Sequence, residues 1–183
     1  MRLKSCFIDK SNIDSVLNIR QLKESDLPEL EWNGEYIHYR RLYREIFKGA
    51  NIGNSILWVI ELHNTGLVGQ LFVQLKSPRR ELADGNVVAY FFAFRIKESN
   101  RGCGFGTKLL EHAEEDLRIR NFKFATLNVS KKNFKALRFY SKHGYNIVAD
   151  EPGHWSYIDH LGIRQEVKQP SWRLEKKIQN RYN

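Results

Sequence analysis

The residues best placed to do chemistry lie in a glycine-rich segment, Arg101–Thr107, where glycine occupies positions 102, 104 and 106. Alternating glycines let backbone N–H groups converge on an anion, because no Cβ atom obstructs the approach. A helix starting directly behind the segment would add unpaired N–H groups and a partial positive charge near Thr107. The segment predicts a pyrophosphate site, with a charge-assisted bond from Arg101; the alternative is an ordinary tight turn.

Two other phosphate-binding motifs do not fit this segment. A dinucleotide fingerprint would need glycine or alanine at position 107, where the chain has Thr107. A P-loop needs Gly-Lys followed by Ser or Thr, whereas the order here is Gly106-Thr107-Lys108. The sequence therefore disfavours nucleotide hydrolysis.

Hydrophobic periodicity predicts the elements that would hold the glycine-rich segment in place. The longest apolar run, residues 87–96, suits a buried central strand just before it. Behind it, a helical stripe runs through Leu109, Leu110, Ala113 and Leu117. The other predicted elements are strands at 18–22, 55–62, 67–75, 122–129, 145–149 and 172–177, a hairpin turn at 64–66, and a helix at 133–144. This pattern predicts a mixed sheet of the α/β (α+β) class.

The region before these strands carries helix signals. Ser25–Pro28 combines a capping residue with an early proline, and a second helix is predicted to follow Gly34. Aromatic residues recur there at steps of four, three, four and four, as on one helical face: Trp32, Tyr36, Tyr39, Tyr43 and Phe47. Core packing is the simplest interpretation of that stripe, and a slot for a cationic amine is the alternative.

Composition limits the classes of protein that the chain can represent. Its 183 residues fit one domain over residues 1–183, and no apolar run approaches the roughly 20 residues of a membrane span. Cys6 and Cys103 form no CxxC pair, which excludes a zinc ribbon and favours a reducing compartment. Polar residues stand where a secretion segment would need apolar ones, so we expect a cytoplasmic protein. The formal charge of +9 favours an anionic ligand.

A second motif follows the first and makes the pattern more specific. Asn133, Ala136, Phe139, Tyr140 and Gly144 are spaced as Asn-x-x-Ala-x-x-Phe-Tyr-x-x-x-Gly, with Tyr145 where a Phe is usual. Together with Arg101-x-x-Gly104-x-Gly106, this spacing resembles the two signatures of the GNAT superfamily of N-acetyltransferases. The resemblance is clear over residues 87–149 and looser from residue 18 onward.

The resemblance implies a GNAT-like fold and a cosubstrate, acetyl-CoA. The fold would be a mostly antiparallel sheet with a splayed central strand pair, flanked by helices. The pantetheine arm would pair with the backbone of Phe94–Ile96, and Asn133 would hydrogen-bond the arm from the other side. The pyrophosphate would lie on the amides of the loop: Arg101, Gly102, Cys103, Gly104, Phe105, Gly106 and Thr107.

The implied reaction is direct attack of a neutral primary amine on the thioester, without a metal. Tyr140 is the candidate that protonates the departing thiolate, although full transfer from a phenol of pKa about 10 to a thiolate of pKa about 8.5 is uphill. A backbone N–H near Phe94–Ile96 would stabilise the oxyanion. Some family members carry a glutamate base where this chain has Asn128, so the base is open among Glu31, Glu35, His38, His154, Asp159 and His160, a relayed water, or spontaneous loss of the amine proton.

Other interpretations of single residues are weaker. Cys103 would lie in the phosphate loop, far from the thioester, so an acetyl-cysteine intermediate is disfavoured. One turn-like segment with His154, Asp159 and His160 does not make a zinc site, and we expect no metal.

The competing functions are a non-catalytic acetyl-CoA sensor and a basic module that binds nucleic acid through aromatic residues such as Trp155. No recognised nucleic-acid module supports the latter. The acceptor amine stays open, and a homodimer is one alternative for the oligomeric state.

Overall fold

A computed structural model describes residues 17–63 and 65–178. Nine strands and three α-helices follow one another in that part of the chain. Their order is β1 Leu17–Gln21, α1 Arg40–Asn51, β2 Ser55–Leu62, β3 Gly66–Gln74, β4 Val88–Ile96, α2 Phe105–Ile119, β5 Phe124–Ser130, α3 Phe134–Lys142, β6 Asn146–Glu151, β7 His154–Ile158, β8 Arg164–Lys168 and β9 Ser171–Lys177. No helix among the described residues is long and apolar enough to cross a membrane.

Seven strands form one mixed sheet in the order β1-β2-β3-β4-β5-β9-β6. All pairs in it are antiparallel except β4 and β5, which run parallel. The β4–β5 ladder extends only from Val88↔Phe124 to Phe91↔Leu127, although both strands continue beyond it. The sheet is therefore open at its centre from Phe92 onward. This confirms the predicted fold class and its splayed central pair.

Helices cover both faces of the sheet. On one face α2 packs Phe105, Leu109 and Leu117 into the larger core cluster, and the amphipathic spacing of these residues is why that segment forms a helix there. On the other face α1 covers a smaller cluster around Tyr43 and Phe72. Strand β4 therefore contributes residues to both clusters, whereas the core residues of β5 belong to the larger one.

A bulge in β4 controls which face its last residues meet. Ala93 adopts a positive φ of 51°, and the β3–β4 register shifts between Gln70 and Phe72. Phe91 and Phe94 both contact the α2 face, whereas regular alternation would place Phe94 on the opposite face. The bulge therefore turns Arg95 toward the α1 face.

The structure differs from the prediction in its N-terminal helices. The segment with Pro28 is a 3₁₀ helix, Glu24–Glu31, and α1 begins only at Arg40. Trp32 and Asn33 have left-handed φ values of 45° and 57°, which break a continuous helix. The aromatic stripe from Trp32 to Phe47 thus lies partly on turns, although most of its members still pack into the smaller core.

The segment after β6 was predicted to be a loop, and this was wrong. Residues 154–168 form the antiparallel hairpin β7–β8, with His154 paired to Lys168 and Ile158 to Arg164. Its base approaches the rest of the chain closely at Gly153, where an added Cβ would lie 1.8 Å from the Gln169 carbonyl oxygen. Its polar residues hid the strand pattern, because neither face of the hairpin belongs to the core.

Candidate active site

The glycine loop, Arg101–Thr107, ends at an open helix N-terminus. Gly102 and Gly104 have φ values of 84° and 85°, and an added Cβ on either would meet nothing within 4 Å. Gly104 is the N-cap of α2, and the first amide to bond back to it is that of Lys108, at 3.1 Å. The N–H groups of Phe105, Gly106 and Thr107 precede that bond, so no intrahelical acceptor serves them. The loop thus offers several main-chain donors on an unobstructed side.

A side-chain bond and a close backbone contact fix this loop to its neighbours. Arg101 Nε donates to the Ile96 carbonyl oxygen at 3.0 Å, which ties the loop to the end of β4. Gly106 lies against β4 and α3, because an added Cβ would be 3.6 Å from Phe94 Cζ and 3.8 Å from Phe139 Cε2. The loop therefore lies beside the open part of β4.

Thr107 has a partner that the sequence did not indicate. Its Oγ1 lies 3.2 Å from His143 Nε2, and His143 Nδ1 lies 2.8 Å from the Phe139 carbonyl oxygen. A carbonyl only accepts, so the Nδ1 atom carries the proton, and the Nε2 of a neutral imidazole accepts from the threonine hydroxyl. His143 thereby joins the first turn of α2 to α3.

Asn133 is the N-cap of α3. Its Oδ1 accepts a hydrogen bond from the Ala136 amide at 3.1 Å. This bond explains why a helix begins at Phe134, and it leaves the side-chain NH₂ group as a donor. A contact between Asn133 and a pantetheine arm stays a prediction.

Tyr140 is the buried residue of α3 and packs against Phe94 of β4. It is 7% exposed, and its ring centroid lies 6.2 Å from that of Phe94 and 5.3 Å from that of Phe139. Burial, with a smaller contribution from Tyr90, raises the pKa of its phenol above the ordinary value of 10.0. In the described part of the chain its hydroxyl makes no hydrogen bond. Tyr140 is therefore a protonated, unpaired donor beside the opening.

The opening itself is bounded by backbone. From Phe92 to Ile96 the edge of β4 that faces β5 has no ladder partner, because the pairing ends at Phe91↔Leu127. Its N–H and C=O groups can therefore pair with an extended ligand. That a backbone N–H near Phe94–Ile96 stabilises an oxyanion stays a prediction.

A cleft of about 870 Å³ lies on the α1 side of this opening. The residues that line this cleft include Tyr43 of α1, Tyr90 and Arg95 of β4, Asn128 of β5 and Trp155 of β7. These residues come from four separate stretches of chain, and only the fold brings them together. The sequence indicated few of them as site residues.

A buried carboxylate stabilises one wall of the cleft. Glu151 is 4% exposed and accepts two hydrogen bonds from Arg79 Nη2, each of 2.9 Å. Arg173 Nη1 lies 3.5 Å from the same carboxylate. The sequence does not indicate this cluster, since nothing in the spacing of residues 79, 151 and 173 relates them. Arg79 and Arg173 therefore hold the Glu151 carboxylate in this wall of the cleft.

Most of the predicted base candidates lie away from the cleft. Glu31 forms an ion pair with Arg40 at 2.5 Å, and that contact holds the pKa of its carboxyl below the usual value. Asp159 accepts the amides of Leu161 and Ile163 at 2.9 Å each, which closes the β7–β8 turn and lowers the pKa of its carboxyl.

Of the remaining four candidates, one borders the cleft. His154 lines it, whereas Glu35, His38 and His160 do not. Burial lowers the pKa of the His38 imidazole, whose ring centroid lies 4.1 Å from that of Tyr39 in a tilted contact. Glu45 also lines the cleft and was not singled out from the sequence. The geometry of the cleft does not select one of these residues as the base.

The Cys103 side chain is not available as a nucleophile, because it is 6% exposed and disulfide-bonded. The disulfide differs from the reduced cysteines expected from the sequence. Among the described residues no group of three or more His, Cys, Asp or Glu side chains could hold a metal ion.

Comparison with known proteins gives the same family as the motifs. A model of the acetyltransferase (GNAT) family matches residues 18–145. A 5-NmdU N-acetyltransferase of Pseudomonas phage PaMx11 is 32% identical over 75 residues, which is 41% of this chain and 50% of that protein. The matching segment thus spans about half the length of this curated relative.

Solved structures share the fold. The ribosomal-protein-S18-alanine N-acetyltransferase of Escherichia coli has a TM-score of 0.64 at 17% identity, over 90% of this chain and 95% of that one. Spermidine N-acetyltransferase of Vibrio cholerae, in complex with CoA and spermine, has a TM-score of 0.62 at 20% identity, over 90% and 96%.

Proposed function

The chain belongs to the GNAT acetyltransferase family, and on that premise we propose that it transfers the acetyl group of acetyl-CoA to a primary amine of an acceptor. One observation carries the proposal: the opening between β4 and β5, which has the glycine loop on one side and the cleft on the other. A donor and an acceptor that entered from these two sides would meet at the backbone of residues 92–96.

The residues of the loop side fit the coenzyme. The main-chain N–H groups of Phe105, Gly106 and Thr107 would hold its diphosphate at the positive end of α2. Arg101 would add charge while its Nε keeps the bond to Ile96. The free β4 edge, including Phe94 and Ile96, would pair with the amide groups of the pantetheine arm, and the NH₂ group of Asn133 would reach it from the opposite side. The bound coenzyme supplies an acetyl group activated as a thioester.

The protein's own part in the reaction is to position groups and donate hydrogen bonds. Backbone N–H groups near Ala93 would stabilise the charge that develops on the carbonyl oxygen. The amine nitrogen forms the new bond to the acetyl carbon as the carbon–sulfur bond breaks. The proton released by the amine leaves through the cleft, through His154, Glu45 or a relayed water.

Tyr140 would act on the departing sulfur. Because burial raises the pKa of this phenol, full proton transfer to a thiolate of pKa about 8.5 is more uphill than in water. We therefore propose that its hydroxyl donates a hydrogen bond that stabilises the thiolate, and that the sulfur gains its proton after leaving.

The experiment that tests the proposal is a thiol-release assay with acetyl-CoA against amino acids, polyamines, aminoglycosides and short peptides. It is run with a chelator, since the proposed chemistry needs no metal. We expect release that depends on one class of amine, and calorimetry should show one acetyl-CoA per chain. An absence of heat with both CoA and acetyl-CoA would contradict the proposal. Binding to nucleic acid that falls steeply with salt would favour the basic-module alternative instead.

A further inference from the structure

Arg95 of β4 lies in the cleft with three tyrosines around it and without a carboxylate. Its guanidinium carbon is 4.2 Å from the ring centroid of Tyr36 and 5.3 Å from that of Tyr39. Its Nη1 donates to the Tyr43 hydroxyl at 2.6 Å. Between residues 17 and 178, leaving aside Asn64, no carboxylate lies within ion-pair distance of it. The tyrosines orient the guanidinium but do not neutralise it.

The bulge in β4 is what brings this cation into the cleft. Ala89 and Phe91 contact the α2 core, and unbroken alternation would send Ala93 and Arg95 to the same side. The left-handed residue at Ala93 reverses the order, so that Arg95 lies with the tyrosines on the opposite face. A charged side chain is thus placed two residues after the bulge, at the opening where the amine would react.

The other charges of the cleft do not balance Arg95. The carboxylate of Glu151 is held by Arg79 and by Arg173, so it offers little to a further cation. Lys76 adds a second positive charge to the lining, and Glu45 is the remaining acid. The excess positive charge of the cleft would therefore repel a polycation, whereas the oxyanion of a ligand would neutralise Arg95.

We propose that the acceptor is a small amine that also carries a carboxylate or a phosphate, and that Arg95 binds this oxyanion while the amine faces the opening. The proposal rests on the acetyltransferase function proposed above. Arg95 uses one guanidinium N–H for Tyr43, which leaves in-plane donors for the planar oxyanion of a carboxylate or the oxygens of a phosphate. Arg95 would thus determine specificity for acceptors that carry an oxyanion.

The test compares amines that differ only in the oxyanion. Acetylation is measured as kcat/KM for γ-aminobutyrate against butylamine, and for O-phosphoethanolamine against ethanolamine, with spermidine as the polycationic comparison. The first pair reports on carboxylate and the second on phosphate, so the preferred pair identifies the source of the charge. We expect at least one anionic amine to exceed its neutral partner by about 10-fold or more.

Two substitutions and a control assign that preference to Arg95. Arg95→Gln should lower kcat/KM for the preferred anionic amine by about 10- to 100-fold and leave the neutral partner within about twofold. Arg95→Lys keeps the positive charge but loses the planar pair of guanidinium donors. Its kcat/KM for the anionic amine should lie between those of the parent and of Arg95→Gln. Arg44→Gln removes the same charge from an exposed residue of α1 outside the cleft lining, and we expect no change in preference. Calorimetry with acetyl-CoA checks that each variant is folded.

Every outcome decides the proposal. A preference for anionic amines that Arg95→Gln abolishes, with acetyl-CoA affinity unchanged, supports it. Equal or better acetylation of neutral amines or spermidine overturns it, as does a preference that survives in Arg95→Gln. Binding of acetyl-CoA without acetylation of any anionic amine also overturns it and leaves the coenzyme site intact. Failure to bind acetyl-CoA refutes the acetyltransferase function instead.

Discussion

On the loop side of the β4–β5 opening the site is made of backbone, and on the cleft side it is made of side chains. The loop side needs only amides, positive φ at Gly102 and Gly104, and a helix start, all within seven residues. The cleft side draws Tyr43, Arg95 and Trp155 together across more than one hundred positions of sequence. A short contiguous site leaves a motif, whereas a dispersed one leaves none. The two sides should therefore respond differently to substitution.

Loss of the Tyr140 hydroxyl is expected to have the largest effect. Tyr140→Phe should lower kcat by about 100-fold and leave acetyl-CoA affinity unchanged, because it removes a donor that acts only on the departing sulfur. Tyr145→Phe is the matched control, since its hydroxyl bonds Glu114 at 2.9 Å, away from the opening. Steady-state kinetics and calorimetry check both variants. An unchanged kcat in Tyr140→Phe would remove this residue from the mechanism.

On the cleft side, breaking the Glu151 cluster should affect stability more than coenzyme binding. Glu151→Gln leaves Arg79 and Arg173 without their buried carboxylate and should lower the free energy of unfolding by about 2 kcal/mol in urea. Glu166→Gln breaks an exposed ion pair to Arg164 and should cost little. Equal losses in the two variants would show that burial does not strengthen the Glu151 cluster.

On the loop side, a side chain at Gly104 should weaken coenzyme binding. Gly104→Val places a β-branched residue at a φ of 85° and should reduce acetyl-CoA affinity by about tenfold. Gly53→Val introduces the same strain at a φ of 79°, also with nothing within 4 Å, but outside the loop. Calorimetry should show a loss of affinity only in the first variant. A similar loss in both would attribute the effect to general destabilisation.

Alkaline pH should have the smallest effect. Burial raises the pKa of Tyr90 in the cleft from 10.0 to about 12, so the folded state disfavours its ionised form. The stability from this group is complete below pH 10 and is lost as the pH rises toward 12, with a loss of about 1 kcal/mol at pH 10.5. Urea unfolding of the parent and of Tyr90→Phe should show a smaller decline in the variant. An equal decline of the unfolding free energy in both proteins would exclude Tyr90 as a source of the alkaline destabilisation.

The sequence predicted the elements whose patterns are local. The β2–β3 hairpin and α2 followed from alternation and from the stripe through Leu109 and Leu117, and the structure confirms both. Helix α1 begins later than predicted because the residues before it, Ile37–Tyr39, form a 3₁₀ turn, which the aromatic periodicity does not distinguish from an α-helix. The β7–β8 hairpin was missed because it buries little apolar surface.

The same contrast between local and long-range features applies to the residues of the candidate site. The loop was predicted from its glycine spacing, and Tyr140 from the resemblance of the second motif to the family's signature; both roles stay predictions. Arg95 was not identified, because its orientation depends on the bulge at Ala93, and Glu151 was not identified, because its partners are distant in sequence. Long-range packing determines the orientation and the partners of such residues, and a single sequence does not show that packing.

Main-chain donors of the glycine loop are proposed to hold the diphosphate of acetyl-CoA. Titration of ¹⁵N-labelled protein with CoA, followed by amide NMR, detects this contact residue by residue. We expect saturable shifts of the amide resonances of Gly104, Phe105, Gly106 and Thr107, at one ligand per chain, with the β7–β8 hairpin unchanged. Saturation without movement of these four amides, or no binding at all, would contradict it.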